Sequence, residues 1–405
     1  MRSWRLSRWS LARVALVAGV PALILGLMAG TAEASGAGKI TSYTAKSING
    51  PDGIAAGPDG NLWFVNAFGN SISRITTKGK VTTYTGTGID FPQYITAGPD
   101  GALWFTNGGS DLIGRITTAG AVTTYTASDG AGQIVAGPDG ALWFTNGDNN
   151  SIGRITTAGA VTSYTAPSID EPGGIAVGSD GALWFTNAGN NSIGRITTAG
   201  AITNYTGTGI DNPYDIAATP HGALWFTNYN NSSIGEITTA GVVTNYPDAG
   251  DEPEGIALGP DGALWFVNRA NDTSMSSVGR ITTAGLVTGY TAPSISYPLW
   301  ITAGPDGAMW ETNEGTDTID RITTTVTPKI SKLSPTSGAA GATVTITGQN
   351  LSHATAVAVN GTPAVIESDT ATHIVTEVPA GATSGHVSVT TAAGTATSTA
   401  VFTVT

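Results

Sequence analysis

The chain has 405 residues, with 17 Lys and Arg against 29 Asp and Glu, for a net charge of −12. An acidic surface of this kind repels phosphate backbones, so no nucleic acid is expected among its partners. The absence of cysteine excludes disulfides and thiolate chemistry, and leaves burial and a closed architecture to stabilise the fold.

The chain opens with MRSWRLSRWSLAR, four arginines and no acid, followed by an apolar run over residues 14–30 and then Ala32, Glu33 and Ala34. That is the order of a secretory signal peptide, cleaved after Ala34. The run is at the short limit for a membrane span. Residues 1–34 therefore read as a signal peptide, and the expectation is a secreted protein with no membrane span after cleavage.

From residue 35 to 327 one unit recurs. Trp63, Trp104, Trp143, Trp184, Trp225, Trp265 and Trp310 are separated by 41, 39, 41, 41, 40 and 45 residues. About 40 residues is the length of one four-stranded propeller blade. Each unit contains four alternating segments, such as "QYITAG", "ALWFTN", "LIGRITT" and "AVTTYT", joined by "PDG" and "TAG" turns. Alternation of this kind is that of half-buried strands, here termed a to d.

The ends of the array are complementary. The stretch "KITSYTA" matches a d segment with nothing ahead of it, and the seventh copy lacks a d segment of its own. The N-terminal strand is therefore expected to complete blade seven, pairing two edges that would otherwise stay open.

Antiparallel order sends the a–b and c–d turns to one face of the disc and the b–c and d–a connections to the other. The first face repeats "GPDG" and "TTAG", which turn geometry alone explains. The second carries the variety, from "NAFGNS" to "NRANDTSMSS" and "NEGTDT", and variable loops on a rigid scaffold are where binding resides. The residue before the recurrent Ile of each a strand should face the central channel: Gly53, Tyr94, Gln133, Gly174, Asp215, Gly255 and Trp300. Tyr94 and Trp300 offer stacking surfaces; Gln133 and Asp215 offer hydrogen bonds. Asp90, Asp170, Asp211 and Glu254 are assigned to the approaching loops, and Glu314 to a b–c loop. Aromatic surface with a few polar tips suits a small molecule, glycan or peptide.

Three features of the repeat invite chemistry. His221 replaces the Asp of the "GPDG" turn, and in the same copy Glu236 replaces the Arg of strand c. Six copies keep both Asp and Arg, so each is expected to hold an ion pair, with His221–Glu236 as a structural pair in the fifth. Glu311 stands where six copies have Phe, which implies either a buried carboxyl of raised pKa or a solvated side chain in a looser last blade. Glu314 and Asp317 are too few oxygen ligands to assign a metal. The Asn that ends strand b in all seven copies reads as turn chemistry, its side chain bonding the backbone two residues on.

The phrase "GPDGALWFTN…SIGRITTAGAVTTYT" resembles the virginiamycin B lyase, or streptogramin lyase, family over residues 39–324. The resemblance implies a seven-bladed propeller. It also implies elimination at the ester of type B streptogramins, with Mg2+, histidine and glutamate near one channel mouth. That chemistry needs a base for the α-proton and an electrophile on the carbonyl. Here strand b ends in Asn where family copies commonly have Glu, and no histidine stands on the variable face. Residues 328–405 lose tryptophan, and "PKISKLSPTSGAAGATVTITGQNL" with its following strands resembles an IPT/TIG domain, an Ig-like β-sandwich. In exported proteins such domains act as spacers or modules that contact a cell-surface partner.

The reading is thus all-β: a seven-bladed β-propeller closed by an N-terminal strand in the last blade, followed by an Ig-like β-sandwich. The expected function is recognition of a small molecule, glycan or peptide at the variable mouth. The alternatives are a metal-dependent carbon–oxygen lyase and a lactonase-type hydrolase. No cofactor is evident in the residues, with Mg2+ or Ca2+ the ions an enzyme would use. The site residues expected at the mouth are Tyr94, Gln133, Asp215, Glu254, Trp300 and Glu314.

Overall fold

The computed structural model describes residues 38–405 except 128–129, 221, 271–274, 325–327, 352–353, 371 and 392–393. The signal-peptide segment and His221 lie outside the described residues. Seven four-stranded antiparallel sheets follow one another, each ordered as the chain runs, with one exception. The last sheet takes Pro298–Ala303, Ala308–Asn313 and Thr318–Thr323 from the C-terminal end of the repeat, and Ile40–Thr44 from the N-terminal end. Ile40 pairs with Ile322 and Thr44 with Thr318, so the expected closure is present in register.

The repeated Trp explains why the sheets stack. Each of the seven indoles is essentially buried, from 0% to 1% exposed, which is worth roughly 2–3 kcal/mol apiece against exposure. Trp63 of blade one packs with Leu103 and Phe105 of blade two, and the pattern recurs round the ring. Leu62 and Phe64 of blade one meet Trp310 of blade seven, which closes it. Within each blade the Trp also stacks on the Tyr of strand d, at 5.0–5.4 Å between ring centres. In blade seven that Tyr is Tyr43 of the N-terminal strand, 5.4 Å from Trp310.

The monotonous face carries a second repeat. The carboxylates of Asp100, Asp139, Asp180, Asp261 and Asp306 lie 2.6–2.7 Å from Arg115, Arg154, Arg195, Arg280 and Arg321, while Asp59 and Arg74 are 3.3 Å apart. Each Asp also accepts the indole N–H of its blade's Trp, as Asp139 does from Trp143 at 3.0 Å. Burial pushes these carboxyls up, but the Trp, Arg and backbone donors outweigh it and hold Asp59, Asp100, Asp139, Asp180 and Asp306 below the usual range. In blade five Glu236 accepts the Tyr246 hydroxyl at 2.9 Å.

Two details differ from the sequence reading. In five blades the Asn that ends strand b bonds elsewhere than two residues on: its Oδ1 accepts a backbone N–H 17 residues earlier, from Asn49 for Asn66, Asp90 for Asn107, Asp170 for Asn187, Asp211 for Asn228 and Ser296 for Asn313. The side chain is buried and staples the incoming d–a loop to the b–c corner, because that loop has donors no strand satisfies. Second, Glu311 is 0% exposed, so the solvated alternative does not hold. The C-terminal segment forms a four-stranded and a five-stranded sheet around a core that includes Ile346, Val357, Ile374, Val389 and Phe402.

Candidate functional site

Every inner strand starts on the variable face under the same local constraint. Its first residue is proline in six blades, and the residue before it has a positive φ: Gly50, Phe91, Glu171, Asn212, Glu252 and Tyr297. That conformation is uncommon for residues other than glycine. It is held from the preceding blade, where Asn70, Asn150 and Asn191 accept the N–H of Phe91, Glu171 and Asn212 at 2.7–2.8 Å. A bulge then separates the proline from the recurrent Ile in the pairing with strand b, leaving the second and third residues unpaired in most blades. Two consecutive residues are thereby freed from the ladder beside the channel in six blades, and one, Gln93, in blade two.

The third-position residues are brought together as expected. Tyr94, Gln133, Asp215 and Trp300 line one cavity of about 190 Å³ along the channel, with Gly53. Tyr94 meets Trp300 edge-on at 5.1 Å between ring centres. The intervening glycines are required by close approach. A Cβ on Gly53 would stand 2.8 Å from Tyr94 Cα, and one on Gly174 would stand 2.6 Å from Asp215 Cα.

Gln133 and Asp215 stitch the channel wall. Gln133 Nε2 donates to Asp215 Oδ1 at 3.0 Å, joining blades three and five past Gly174, and its Oε1 accepts the Ile175 N–H. Asp215 also accepts the N–H of Ile216 at 2.8 Å and of Ile256 at 2.9 Å, so it ties blade five to blade six. Burial to 1% exposure pushes its carboxyl up to about 7, against the pull of these donors. The pair forms a braced wall of the cup beside the aromatic surface.

The second-position residues, which strict alternation conceals, build the charged part of the mouth. Glu254 belongs to the inner strand Pro253–Leu258 and not to the approaching loop, and is 1% exposed. Its Oε1 lies 3.2 Å from Arg269 Nη1. Asp52, from the equivalent position of blade one, is 6% exposed. Burial pushes its carboxyl well above the usual range, Glu314 and Glu254 push the same way, and Trp300 and Arg269 oppose them. Glu314 is half-buried, and its carboxyl is raised by burial although Arg269 draws it down. Asp317 instead accepts the Gly50 N–H at 2.7 Å, bracing the seam between the last blade and the first.

An aromatic wall surrounds these charges. Tyr214 lies 6.4 Å from Trp300 and 6.2 Å from Tyr229, and Arg269 stacks on Tyr297 at 5.4 Å. Burial and the neighbouring Glu252 and Glu254 push the Tyr229 hydroxyl above its usual range, so it stays a neutral donor. The six expected residues thus divide in two: Tyr94, Gln133, Asp215 and Trp300 line the channel, while Glu254 and Glu314 share the field of Arg269. Asp52, Tyr214, Tyr229 and Arg269 were missed. The available signal was the second residue of each inner strand, which is acidic only at Asp52 and Glu254.

The sequence pattern of the virginiamycin B lyase family matches residues 30–132, 126–212 and 207–361, and that of the IPT/TIG domain matches residues 328–404. The chain belongs to the virginiamycin B lyase family. A streptogramin B lyase structure shares 30% identity at a TM-score of 0.66, covering 73% of this chain and 100% of that one. Virginiamycin B lyase from Staphylococcus aureus shares 34% identity at a TM-score of 0.63, over 70% and 99% of the two chains. A catalytically inactive form of that enzyme with quinupristin matches at 34% identity and a TM-score of 0.64. No curated protein matched the chain.

Family membership raises the question of a magnesium ion. Among the described residues no three His, Cys, Asp or Glu side chains stand where they could hold a metal. The described histidines, His373 and His386, both belong to the C-terminal sandwich. The carboxyls of the mouth, Asp52, Glu254 and Glu314, already face a guanidinium, Arg269, which lies 3.2 Å from Glu254, and no described histidine joins them, so this donor set does not fit that group.

Proposed function

We propose that the protein is an exported recognition propeller that binds a small molecule, glycan or peptide at the variable mouth of its channel. The reading is carried by the convergence of Tyr94, Trp300, Tyr214 and Tyr229 with Asp52, Glu254 and Glu314 around Arg269. Aromatic faces supply contact area, and a few fixed polar groups orient the ligand. Export rests on the arginine-rich, apolar and A-x-A order of the leader, and the IPT/TIG domain serves as spacer or second contact.

The family favours one second reading, a carbon–oxygen lyase acting on a cyclic ester. In it Glu314, half-buried with a raised pKa, takes the α-proton, and the guanidinium of Arg269 receives the charge that develops on the carbonyl oxygen. Quinupristin separates the readings because it accompanies a solved relative. Calorimetric titration of the full chain with quinupristin, in parallel with chromatography and mass spectrometry, is the experiment. Binding without conversion supports recognition. A ring-opened product of unchanged mass establishes the lyase, and a gain of one water establishes a hydrolase. Arg269→Gln and Glu314→Gln should each weaken binding about tenfold, the equivalent of 1.4 kcal/mol; variants that bind as the parent does would overturn the site.

A further inference from the structure

One row of side chains in blade seven breaks the rule that the other six obey. At this height strand b carries Phe and strand c carries Gly, or Ser in blade one: Phe64↔Ser73, Phe105↔Gly114, Phe144↔Gly153, Phe185↔Gly194, Phe226↔Gly235 and Phe266↔Gly279. The Phe ring lies on the glycine so closely that a Cβ on Gly114 would stand 2.0 Å from Phe105 Cζ. In blade seven the same pair is Glu311↔Asp320. Both members changed together, from an apolar lock to two carboxyls on adjacent strands.

These carboxyls have no cation to face among the described residues. Glu311 and Asp320 are both 0% exposed, and Glu311 Oε1, Glu311 Oε2 and Asp320 Oδ1 meet no donor in hydrogen-bond geometry. The Asn313 amide stands close enough to offset part of the effect on Glu311, but burial and the Asp320 charge push that carboxyl well above its usual range. Two oxygen donors lie beside the pair. Ser294, in the loop entering blade seven, donates its hydroxyl to Asp320 Oδ2 at 2.5 Å. Ser42 of the N-terminal strand, an exposed residue, is directly opposite Asp320 and also bonds to it, and Thr318 and Asn313 stand beside the same carboxyl.

We propose that Glu311 and Asp320, with the hydroxyls of Ser42 and Ser294, form a buried site for a calcium-class dication that fastens the closing strand of the propeller. A single shared proton would leave one negative charge buried between the carboxyls, with the Asn313 amide and the Thr318 hydroxyl as the nearest remaining donors. A dication takes all three unpartnered oxygens and matches the two negative charges. Side chains on directly opposite strand positions have Cβ atoms about 4.5–5.5 Å apart, which lets both carboxylates reach one ion at roughly 2.3–2.6 Å. Oxygen-only donors select a hard ion. Calcium suits two carboxyls that are 0% exposed better than magnesium, which dehydrates reluctantly and keeps its waters. The ligands come from three separated stretches of chain, one of them the N-terminal strand, so the ion would tie together the two ends of the repeat.

The full chain, stripped with a chelator and desalted, tests the site without reference to any ligand at the mouth. One calcium per chain should be retained on re-addition, read by elemental mass spectrometry. The melting temperature should rise by about 5 °C when free calcium exceeds its dissociation constant a hundredfold. Glu311→Gln keeps the volume and should abolish both effects. Glu311→Phe combined with Asp320→Gly restores the pattern of the other blades; it should fold, retain no calcium and melt at a temperature calcium does not change. A stripped parent that neither binds calcium nor gains stability overturns the proposal. So does a double variant that still responds, because the ion would then lie elsewhere. A parent stabilised by acid alone, with no calcium response, would assign the pair a shared proton and overturn the ion.

Discussion

The two ends of the disc are built on opposite plans. On the monotonous face six blades repeat one arrangement, an Asp that accepts the indole of a buried Trp and pairs with an Arg. On the variable face no two blades offer the same pair of residues to the channel, and the backbone before the inner strand is held at positive φ by hydrogen bonds from its neighbour. Carboxyls differ in the same way: those below are held under their ordinary range, while Asp52, Asp215 and Glu314 above are pushed over it. Uniform, satisfied groups stabilise. Varied, desolvated charges are kept where chemistry or binding needs them, at a cost to stability.

The largest blow to this contrast is Trp143→Ala. It removes an indole that is 0% exposed, stacked on Tyr164 at 5.4 Å and bonded to Asp139. A loss of about 3–5 kcal/mol is expected in chemical denaturation. A loss below about 1 kcal/mol would mean that the Trp ring does not organise the blades.

The pH dependence follows from the two sets of carboxyls. Asp215, at about 7 in the folded state, keeps a proton that the unfolded chain gives up near its ordinary value. Its contribution is therefore full below about pH 4 and is lost as the pH rises through about 7. Asp52, Glu314, Glu311 and Asp320 are shifted in the same direction. The depressed carboxyls of the other face act in reverse: their contribution is present above about pH 4 and lost as the pH falls through their folded values. With no divalent ion added, the unfolding free energy from denaturant titrations should decline by up to a few kcal/mol, and the midpoints with it, between about pH 5 and 7. Midpoints that climb across that window would refute the assignment of raised groups to the mouth and seam.

Smaller effects sharpen the comparison. Arg154→Gln breaks a pair whose side chains are 23% and 19% exposed, so solvent screening limits the cost to about 1 kcal/mol. Glu314→Gln should change stability by less than about 0.5 kcal/mol, because a half-buried loop carboxyl with a raised pKa loses little when made neutral. The same variant should weaken ligand capture, whereas Arg154→Gln should leave it untouched. Equal effects of the two on binding would erase the functional distinction between the faces.

Much of the architecture was legible because it is local and repeated. The spacing of the tryptophans marks seven units, and "KITSYTA" before the first copy marks the strand that blade seven lacks. The Asp and Arg of each copy are 15 residues apart in most blades and 19 in the sixth, on neighbouring strands, so their pairing could be anticipated. The channel residues Tyr94, Gln133, Asp215 and Trp300 were also within reach, since each precedes a recurrent Ile. Asp52 and Tyr214 were not, because the bulge at the start of the inner strand shifts the alternation on which such a reading depends.

What the sequence determined by itself is the blade: its four strands, its buried Trp, its turns and the closure that an orphan strand implies. These follow from periodicity and nearest-neighbour pairing. Only the tertiary structure decided what the blades make together. The mouth draws Asp52, Glu254, Arg269 and Glu314 from three blades at different ends of the chain, and the Asn staples reach back 17 residues into the loop between blades. Burial of Glu311 beside Asp320 depends on how blade seven packs against its neighbours, a contact that no single copy of the repeat contains. Fields and desolvation are sums over everything nearby in space, and nearness in space is what ring closure creates.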